Sequence, residues 1–362
     1  MKITFVCPPL NMTGGIRVVA IYARYLQSFG HDVLVVSPPH RAKGLVSRIL
    51  KKLGLPQFAA APQPRSHLDG LGVPQRILGR HRAVRESDVP DADVIVATWW
   101  ETAEYVAAMS DRKGRKVYFV QHHEVFDWLP RDRVAATYRS DLQKIAVAQW
   151  LVEAIAEDGN RQGCTVVPNA VDRTQFFAPR RAKNARPRLG TLFSETDFKG
   201  FDISLAVIAA VRKALPELEV VAFGERAPDR YRDRVSGIAL TTQPTQDSLK
   251  DIYASCDVWL CCSKSEGFNL MAMEAMACRT PVVSTRTGWP AEAIVDGVNG
   301  ALAEVDDVDG LARAVLEILR ADDSTWQGLS DGAARTVAES SWEQSAHMFE
   351  AALIRNETMR QH

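Results

Sequence analysis

Residues 263–284 read SKSEGFNLMAMEAMACRTPVVS. The stretch reads as a turn, a short helix and an apolar strand. Gly267 follows Glu266, so the backbone there can adopt conformations that other residues avoid. Asn269 is placed to cap a helix that runs to about Ala277. Glu266 therefore falls on the loop before the helix. Glu274, eight positions later, falls a little over one turn inside it, roughly 7 Å along the axis at about 1.5 Å per residue. The backbone N–H groups of Phe268, Asn269 and Leu270 have no partner within the helix, and such a helix start stabilises anions. One loop thus offers a carboxylate, an anion-binding helix end and a second carboxylate deeper down. Those parts suit a sugar joined to a diphosphate and a ribose. Two glutamates at this spacing can also mark a solvated helix face. Here Leu270, Met271, Met273, Ala275, Met276 and Ala277 leave almost no polar face, and carboxylates in so apolar a helix need a reason to be there.

Outward from this stretch the chain alternates apolar strands with helical patterns. Ile3 to Cys7 predicts a strand and Pro8 to Gly15 a loop. Ile16, Val19, Ala20, Ala23 and Leu26 recur at helical spacing, Gly30 ends that helix, and Val33 to Val36 predicts the next strand. Such units build parallel sheets with right-handed crossovers. Further buried strands are expected at Val94 to Thr98, Val117 to Gln121, Ile145 to Ala148 and Thr165 to Val167, with a boundary at Pro168. A second series begins at Leu189 to Phe193. It continues with a helix over 201–214, strands at Leu218 to Phe223 and Ile238 to Thr242, a helix over 246–255 and a strand at Val258 to Cys262. Strands at Pro281 to Ser284 and Gly300 to Ala303 and helices over about 307–320, 324–339 and 342–355 complete it. The basic stretch Ala178 to Arg188, with two prolines, reads as an exposed linker.

Composition restricts the function classes. The 362 residues suggest two domains. Lys+Arg and Asp+Glu each total 44, so the overall charge implies no polyanionic partner. The six cysteines form no C-x-x-C pair; they read as buried reduced thiols of a cytosolic protein, which argues against zinc. MKITFVCPP reads as a strand cut short by prolines, not a signal peptide, and no apolar run reaches the roughly 20 residues of a spanning helix. The expected location is cytoplasmic, with any membrane met from its inner face. Between His40 and Arg85, ten Lys/Arg stand against one acid, Asp69. Leu45, Val46, Ile49, Leu50 and Leu53 would line one side of a helix, with Arg48, Lys51 and Lys52 on the other. That pattern suits a helix lying on an anionic membrane surface, or one packed on its domain with a basic edge. Nucleic acid is not expected, because no aromatics interleave the charges. There is no G-x-G-x-x-G and no P-loop.

The 263–284 stretch resembles the E-x7-E region of the retaining, nucleotide-sugar-dependent glycosyltransferases of family 4. Gly14-Gly15 after the first strand, Pro168 to Asp172 with Phe176 (PNAVD…F), Lys199-Gly200, Asp257 to Ser263 and Asp296 to Gly300 (DGVNG) follow the family's order over nearly the whole chain. The resemblance implies an α/β GT-B fold: two Rossmann-like, doubly wound parallel-sheet domains facing across a cleft. The implied domains are 1–170 (acceptor-binding), 171–340 (nucleotide-sugar-binding) and a helix over 341–362 crossing back to the first. It implies transfer of a sugar from a nucleoside diphosphate to an acceptor hydroxyl, with no cofactor beyond the donor. The basic segment suggests a lipid-linked or cell-envelope glycan as acceptor. No metal is expected, because Asp91-Ala92-Asp93 precedes its strand and does not end one. Other GT-B enzymes (a sugar-nucleotide epimerase or a phosphorylase) and a non-catalytic sugar-nucleotide-binding protein are the alternatives.

By the same resemblance, Lys199 meets the donor diphosphate, Glu274 the ribose hydroxyls and Glu266 the transferred sugar. Gly15, Gly267 and the amides of Phe268, Asn269 and Leu270 complete the donor site. His122 and His123 follow a strand end, where a histidine can bond the donor sugar or the acceptor near neutral pH; we take His122 as the catalytic candidate and His123 as acceptor-binding. Glu124 is placed to orient the acceptor. Trp99 and Trp100, expected at the end of the neighbouring strand, are candidates to stack on acceptor sugars, with core packing the competing explanation. The chain departs from the family at Thr191, where an arginine is usual, and at Asn269 and Arg279, where glycine is usual. Ser194 or Thr196, or more remotely Arg230, Arg232 or Arg234, could replace the missing phosphate contact.

Overall fold

A computed structural model describes residues 1–41, 63–225 and 229–354. The amphipathic helix expected around 45–53, and with it much of the basic segment 41–85, lies outside the described residues. The chain divides into two compact units: Met1–Asn169 together with the segment from Glu343 onward, and Ala170–Trp342.

The first unit is built on β1 (Lys2–Val6), α1 (Gly14–Ser28), β2 (Asp32–Ser37), β3 (Gln75–Ile77), β4 (Val94–Ala97), α2 (Trp100–Ala107), β5 (Arg115–Val120), α3 (Arg131–Arg139), β6 (Gln143–Ala146), α4 (Gln149–Glu157) and β7 (Cys164–Val166). Among the described residues its seven strands lie in the order β3-β2-β1-β4-β5-β6-β7, and every pairing is parallel. Helices on both faces bury such strands completely, which is why most of them read as unbroken apolar runs. The strand Gln75–Ile77 was not expected. It is exposed at all three positions and carries no apolar run; its pairing with Val35 to Ser37 alone makes it a strand.

The second unit contains β8 (Arg188–Leu192), α5 (Phe201–Ala214), β9 (Glu219–Gly224), β10 (Ile238–Thr242), α6 (Leu249–Ala254), β11 (Val258–Cys261), α7 (Leu270–Ala277), β12 (Val282–Thr285), α8 (Gly288–Ala293), β13 (Gly300–Ala303), α9 (Val308–Arg320) and α10 (Asp323–Thr336). The strand order is β10-β9-β8-β11-β12-β13, again parallel throughout. Leu189, Val207, Val211, Leu260, Val283, Leu311, Val315 and Trp326 form the centre of its core. The segment expected as an exposed linker is instead tied to this unit. Arg181 donates to the carbonyls of Ala254 (2.9 Å) and Cys256, and lies 4.4 Å above the Trp326 ring. Lys183 donates to the Leu319 carbonyl at 3.0 Å. Its basic residues cap carbonyl ends that the core elements leave open.

The last helix, α11 (Trp342–Ile354), belongs to the first unit from Glu343 onward. Phe349 is fully buried there, 4.6 Å from Tyr22 and 5.0 Å from Phe119, ring to ring. Glu350 joins His31 at 2.7 Å and His347 at 3.3 Å, and Gln143 donates to the Ala352 carbonyl at 2.7 Å. Replacing so deeply buried an aromatic ring removes both transfer energy and packing. Phe349→Ala is expected to destabilise the first unit by about 3–5 kcal/mol, read as a lowered denaturant midpoint.

Candidate functional site

In each sheet the strand order reverses between two neighbours, β1 and β4 in the first unit, β8 and β11 in the second. Loops leaving the carboxyl ends of strands at such a switch point form the ligand crevice of open α/β sheets. In the second unit β8 leads to the loop carrying Lys199, and β11 to the loop carrying Glu266. The chain brings these loops into contact through backbone. Gly200 has φ +63°, and a Cβ there would lie 1.9 Å from the Cys262 carbonyl oxygen. Only glycine fits both the conformation and the approach. Beside it, the Lys264 N–H donates to the Phe198 carbonyl at 2.7 Å.

This contact sets the Lys199 ammonium against Glu266, 2.8 and 3.0 Å from its two carboxylate oxygens. Ser263 Oγ donates to the same carboxylate at 2.7 Å. Glu266 and Glu274 are both buried, at 5% and 2% exposure, so neither is part of a solvated helix face. Glu274 accepts from the Tyr253 hydroxyl at 2.9 Å. Asn269 caps α7 as expected, with its side-chain oxygen 3.4 Å from the Ala272 N–H. It does so in the left-handed region, φ +77°, a conformation that asparagine tolerates better than most side chains. Phe268 stacks on Trp289 with ring centroids 5.7 Å apart, and its carbonyl accepts from the Trp289 N–H at 2.8 Å. Gly288, at φ +61°, makes this possible: a Cβ there would sit 2.9 Å from both the Glu266 Cβ and the Phe268 oxygen.

The departures from the family have local explanations. Thr191 is buried within β8 and donates to the Leu260 carbonyl at 2.9 Å. Arg279 follows α7 at φ +63°, where Thr280 N–H bonds the Ala275 carbonyl; this is the helix stop that glycine usually makes. Its side chain meets Asp331 at 2.6 Å. Among the proposed substitutes, Ser194 Oγ accepts from the Thr196 N–H at 3.1 Å. Arg230 pairs with Asp197, Arg232 with Asp229 at 2.8 Å, and Arg234 donates to the Asp202 carbonyl.

In the first unit, Gly14 and Gly15 open α1 and are exposed. A Cβ at Gly14 would meet nothing within 4 Å, and at Gly15 only the Gln121 amide at 3.7 Å. Among the described residues nothing demands glycine at either position. The two histidines diverge. His122 Nδ1–H donates to the His123 carbonyl at 2.9 Å, which makes Nε2 its lone-pair nitrogen in the neutral ring. His123 Nε2 lies 2.6 Å from Asp158. No spacing in the sequence links Asp158 to His123; the end of α4 supplies it.

Trp99 and Trp100 do not end a strand. β4 stops at Ala97, and Trp100 begins α2, because Thr102 Oγ1 accepts from the N–H groups of both Thr98 and Trp99 at 3.0 Å. Trp100 is buried under the Arg133 guanidinium, 4.9 Å away. Glu124 also lies inside, at 1% exposure. It accepts from the Trp100 N–H at 2.7 Å and the Tyr118 hydroxyl at 3.0 Å, so it fixes the start of α2 from within. Burial pushes its carboxyl up to about 8, against those two hydrogen bonds.

The comparisons with known proteins fit this architecture. Anabaena HepE in complex with UDP and glucose superposes with a TM-score of 0.74 at 17% identity, over 100% of both chains. The fold is GT-B. Residues 188–321, which hold the Lys199 and Glu266 loops, match the family model for glycosyl transferases group 1. The phosphatidyl-myo-inositol mannosyltransferase of Mycolicibacterium smegmatis is 25% identical over 384 residues, 94% of this chain and 90% of that one. The D-inositol 3-phosphate glycosyltransferase of Mycolicibacterium vanbaalenii is 35% identical over 138 residues, and the match spans 29% of its length. Several other curated relatives are likewise matched over about a quarter of their length, 24% to 25%.

Two outcomes test this geometry. Gly200→Ala must push the Lys199 loop off Cys262; a lowered melting temperature is expected, whereas an unchanged protein would contradict the contact. Glu124 takes up a proton on folding, because its folded pKa lies above the ordinary 4.5. Its contribution to stability is full below about 4.5 and falls as pH rises to about 8. Glu124→Gln should flatten that part of the melting-temperature profile.

Proposed function

We infer that the chain is a retaining glycosyltransferase that moves a hexose-type sugar from a nucleoside diphosphate to an acceptor hydroxyl. The observation that carries this reading is the Lys199–Glu266 pair. It lies at the carboxyl ends of β8 and β11, with Glu266 in the loop that opens α7. A cation, a helix N-terminus and a buried carboxylate side by side meet the diphosphate and the sugar of one ligand. The group 1 glycosyltransferase match over 188–321 supports it, as does the UDP and glucose held by the Anabaena neighbour.

In this reading the C1–O bond to the diphosphate breaks through an oxocarbenium-like transition state. The acceptor oxygen forms its bond to C1 on the face the diphosphate leaves. The acceptor proton passes to the departing phosphate oxygen, so no protein nucleophile is needed. Lys199 and the N–H groups at the start of α7 carry the developing charge, and activity is expected to survive chelation of divalent metal. Positioning supplies the remainder of the rate.

The reading of the acceptor is supported by the mannosyltransferase relative, whose name carries a phosphatidyl-inositol, and by the basic segment 41–85. Together they favour a lipid-linked or cell-envelope acceptor met at an anionic membrane surface. Among the described residues no helix is long and apolar enough to cross a membrane.

A panel of nucleotide sugars screened by thermal shift identifies the donor, and the anomeric configuration of the product, read by NMR, tests retention. Lys199→Ala is expected to lower kcat/KM roughly 10²–10³-fold. Glu274→Ala is expected to abolish nucleotide binding. Full activity in both variants would remove the reading.

A further inference from the structure

We propose that Glu266 and the donor's diphosphate exchange for the Lys199 ammonium, and that this exchange retains the intact donor and releases the spent nucleoside diphosphate. The inference rests on the nucleotide-sugar reading above. Its starting point is that the two groups expected to hold different ends of one ligand hold each other, at 2.8 and 3.0 Å.

The pair is asymmetric. The Glu266 side chain is 6% exposed. It is held by Ser263 Oγ at 2.7 Å, and the Ser263 carbonyl is held in turn by Thr285 Oγ1 at 2.5 Å. The Lys199 side chain is 24% exposed and ends a flexible four-carbon stem. When a second anion enters, the ammonium can turn to it and the carboxylate stays. A diphosphate carries more charge than a carboxylate and offers more acceptor oxygens, so it competes well for a point charge.

The exchange leaves Glu266 as a buried anion with the Ser263 hydroxyl as its donor. A buried charge stripped of its counter-ion is strongly unfavourable. Hydroxyls of an attached sugar can donate to both carboxylate oxygens and offset that loss. A nucleoside diphosphate without the sugar cannot. The intact donor therefore satisfies both halves of the broken pair. The product satisfies one half, and Glu266 recaptures Lys199 as the diphosphate departs. Ser263 is a positioning residue in this scheme, since it keeps the carboxylate in place while its partner is away.

Calorimetric titration of UDP, GDP and their hexose derivatives into the full chain tests this. Wild type is compared with Glu266→Gln, Lys199→Gln and the double variant, each checked for folding by its melting temperature. Glu266→Gln should bind the bare nucleoside diphosphate about fivefold tighter than wild type or more, while its transfer rate falls. The gain should vanish when Lys199 is also replaced. Ser263→Ala should lower kcat/KM for the donor, and Ser263→Thr, which keeps the hydroxyl, should restore it. Equal or weaker diphosphate binding by folded Glu266→Gln overturns the exchange while leaving the donor reading intact, as does a gain that persists without Lys199. Wild type that binds neither nucleotide nor either sugar derivative overturns the donor reading, and the exchange with it.

Discussion

A methyl group at position 200 would lie 1.9 Å from the Cys262 carbonyl oxygen. That close approach is the constraint on which the candidate site depends. Because position 200 is glycine in the left-handed region, the loop after β8 can rest on the loop after β11, and the Lys264–Phe198 backbone hydrogen bond locks the two together. The position of the Lys199 ammonium then follows from backbone geometry. A lysine on a free loop would be an ordinary surface charge. Here it is aimed at a carboxylate that the Ser263 hydroxyl holds, with Thr285 Oγ1 holding the Ser263 carbonyl in turn. The strain of a left-handed asparagine at the start of α7 falls in the same few residues, as strained backbone at functional sites commonly does.

The two units use burial of charge in different ways. In the second unit two of the buried carboxylates, Glu266 and Glu274, meet a cation or a tyrosine hydroxyl, while a third, Asp257, holds Arg181, Asn184 and Arg188. In the first, Glu124 is sealed between Trp100 and Tyr118 and serves the fold. Its high pKa is the outcome of burial without a counter-ion. A perturbed pKa marks a functional group only when the group can reach a ligand, and Glu124 is sealed at 1% exposure.

Much of the fold was legible from local pattern. The helix over 201–214 and the strands at 238–242 and 300–303 lie where periodicity placed them, and central parallel strands such as Val94–Ala97 and Val258–Cys261, buried at every position, write continuous apolar runs into the sequence. What escaped had no local signal. β3 has one apolar residue, Ile77, buries none of its three, and exists through its neighbour. α2 begins at Trp100 because a threonine two residues later accepts two backbone N–H groups, and two tryptophans after an apolar run look like its continuation. The candidate site was half legible. The E-x7-E spacing and the Asn269 cap are sequence features, and the structure keeps both. The Lys199–Glu266 pair and the His123–Asp158 pair join residues 67 and 35 positions apart, and only the stacking of strands brings them together.

The central claim is that the loops after β8 and β11, with the start of α7, grip an activated sugar by its leaving group. The most direct measurement is a crystal structure of the full chain with an intact nucleotide sugar bound. The account predicts diphosphate oxygens within hydrogen-bond distance of Lys199 Nζ and the α7 N-terminus, with sugar hydroxyls on Glu266. A nucleotide sugar bound elsewhere, with Lys199 and Glu266 still paired, would contradict it.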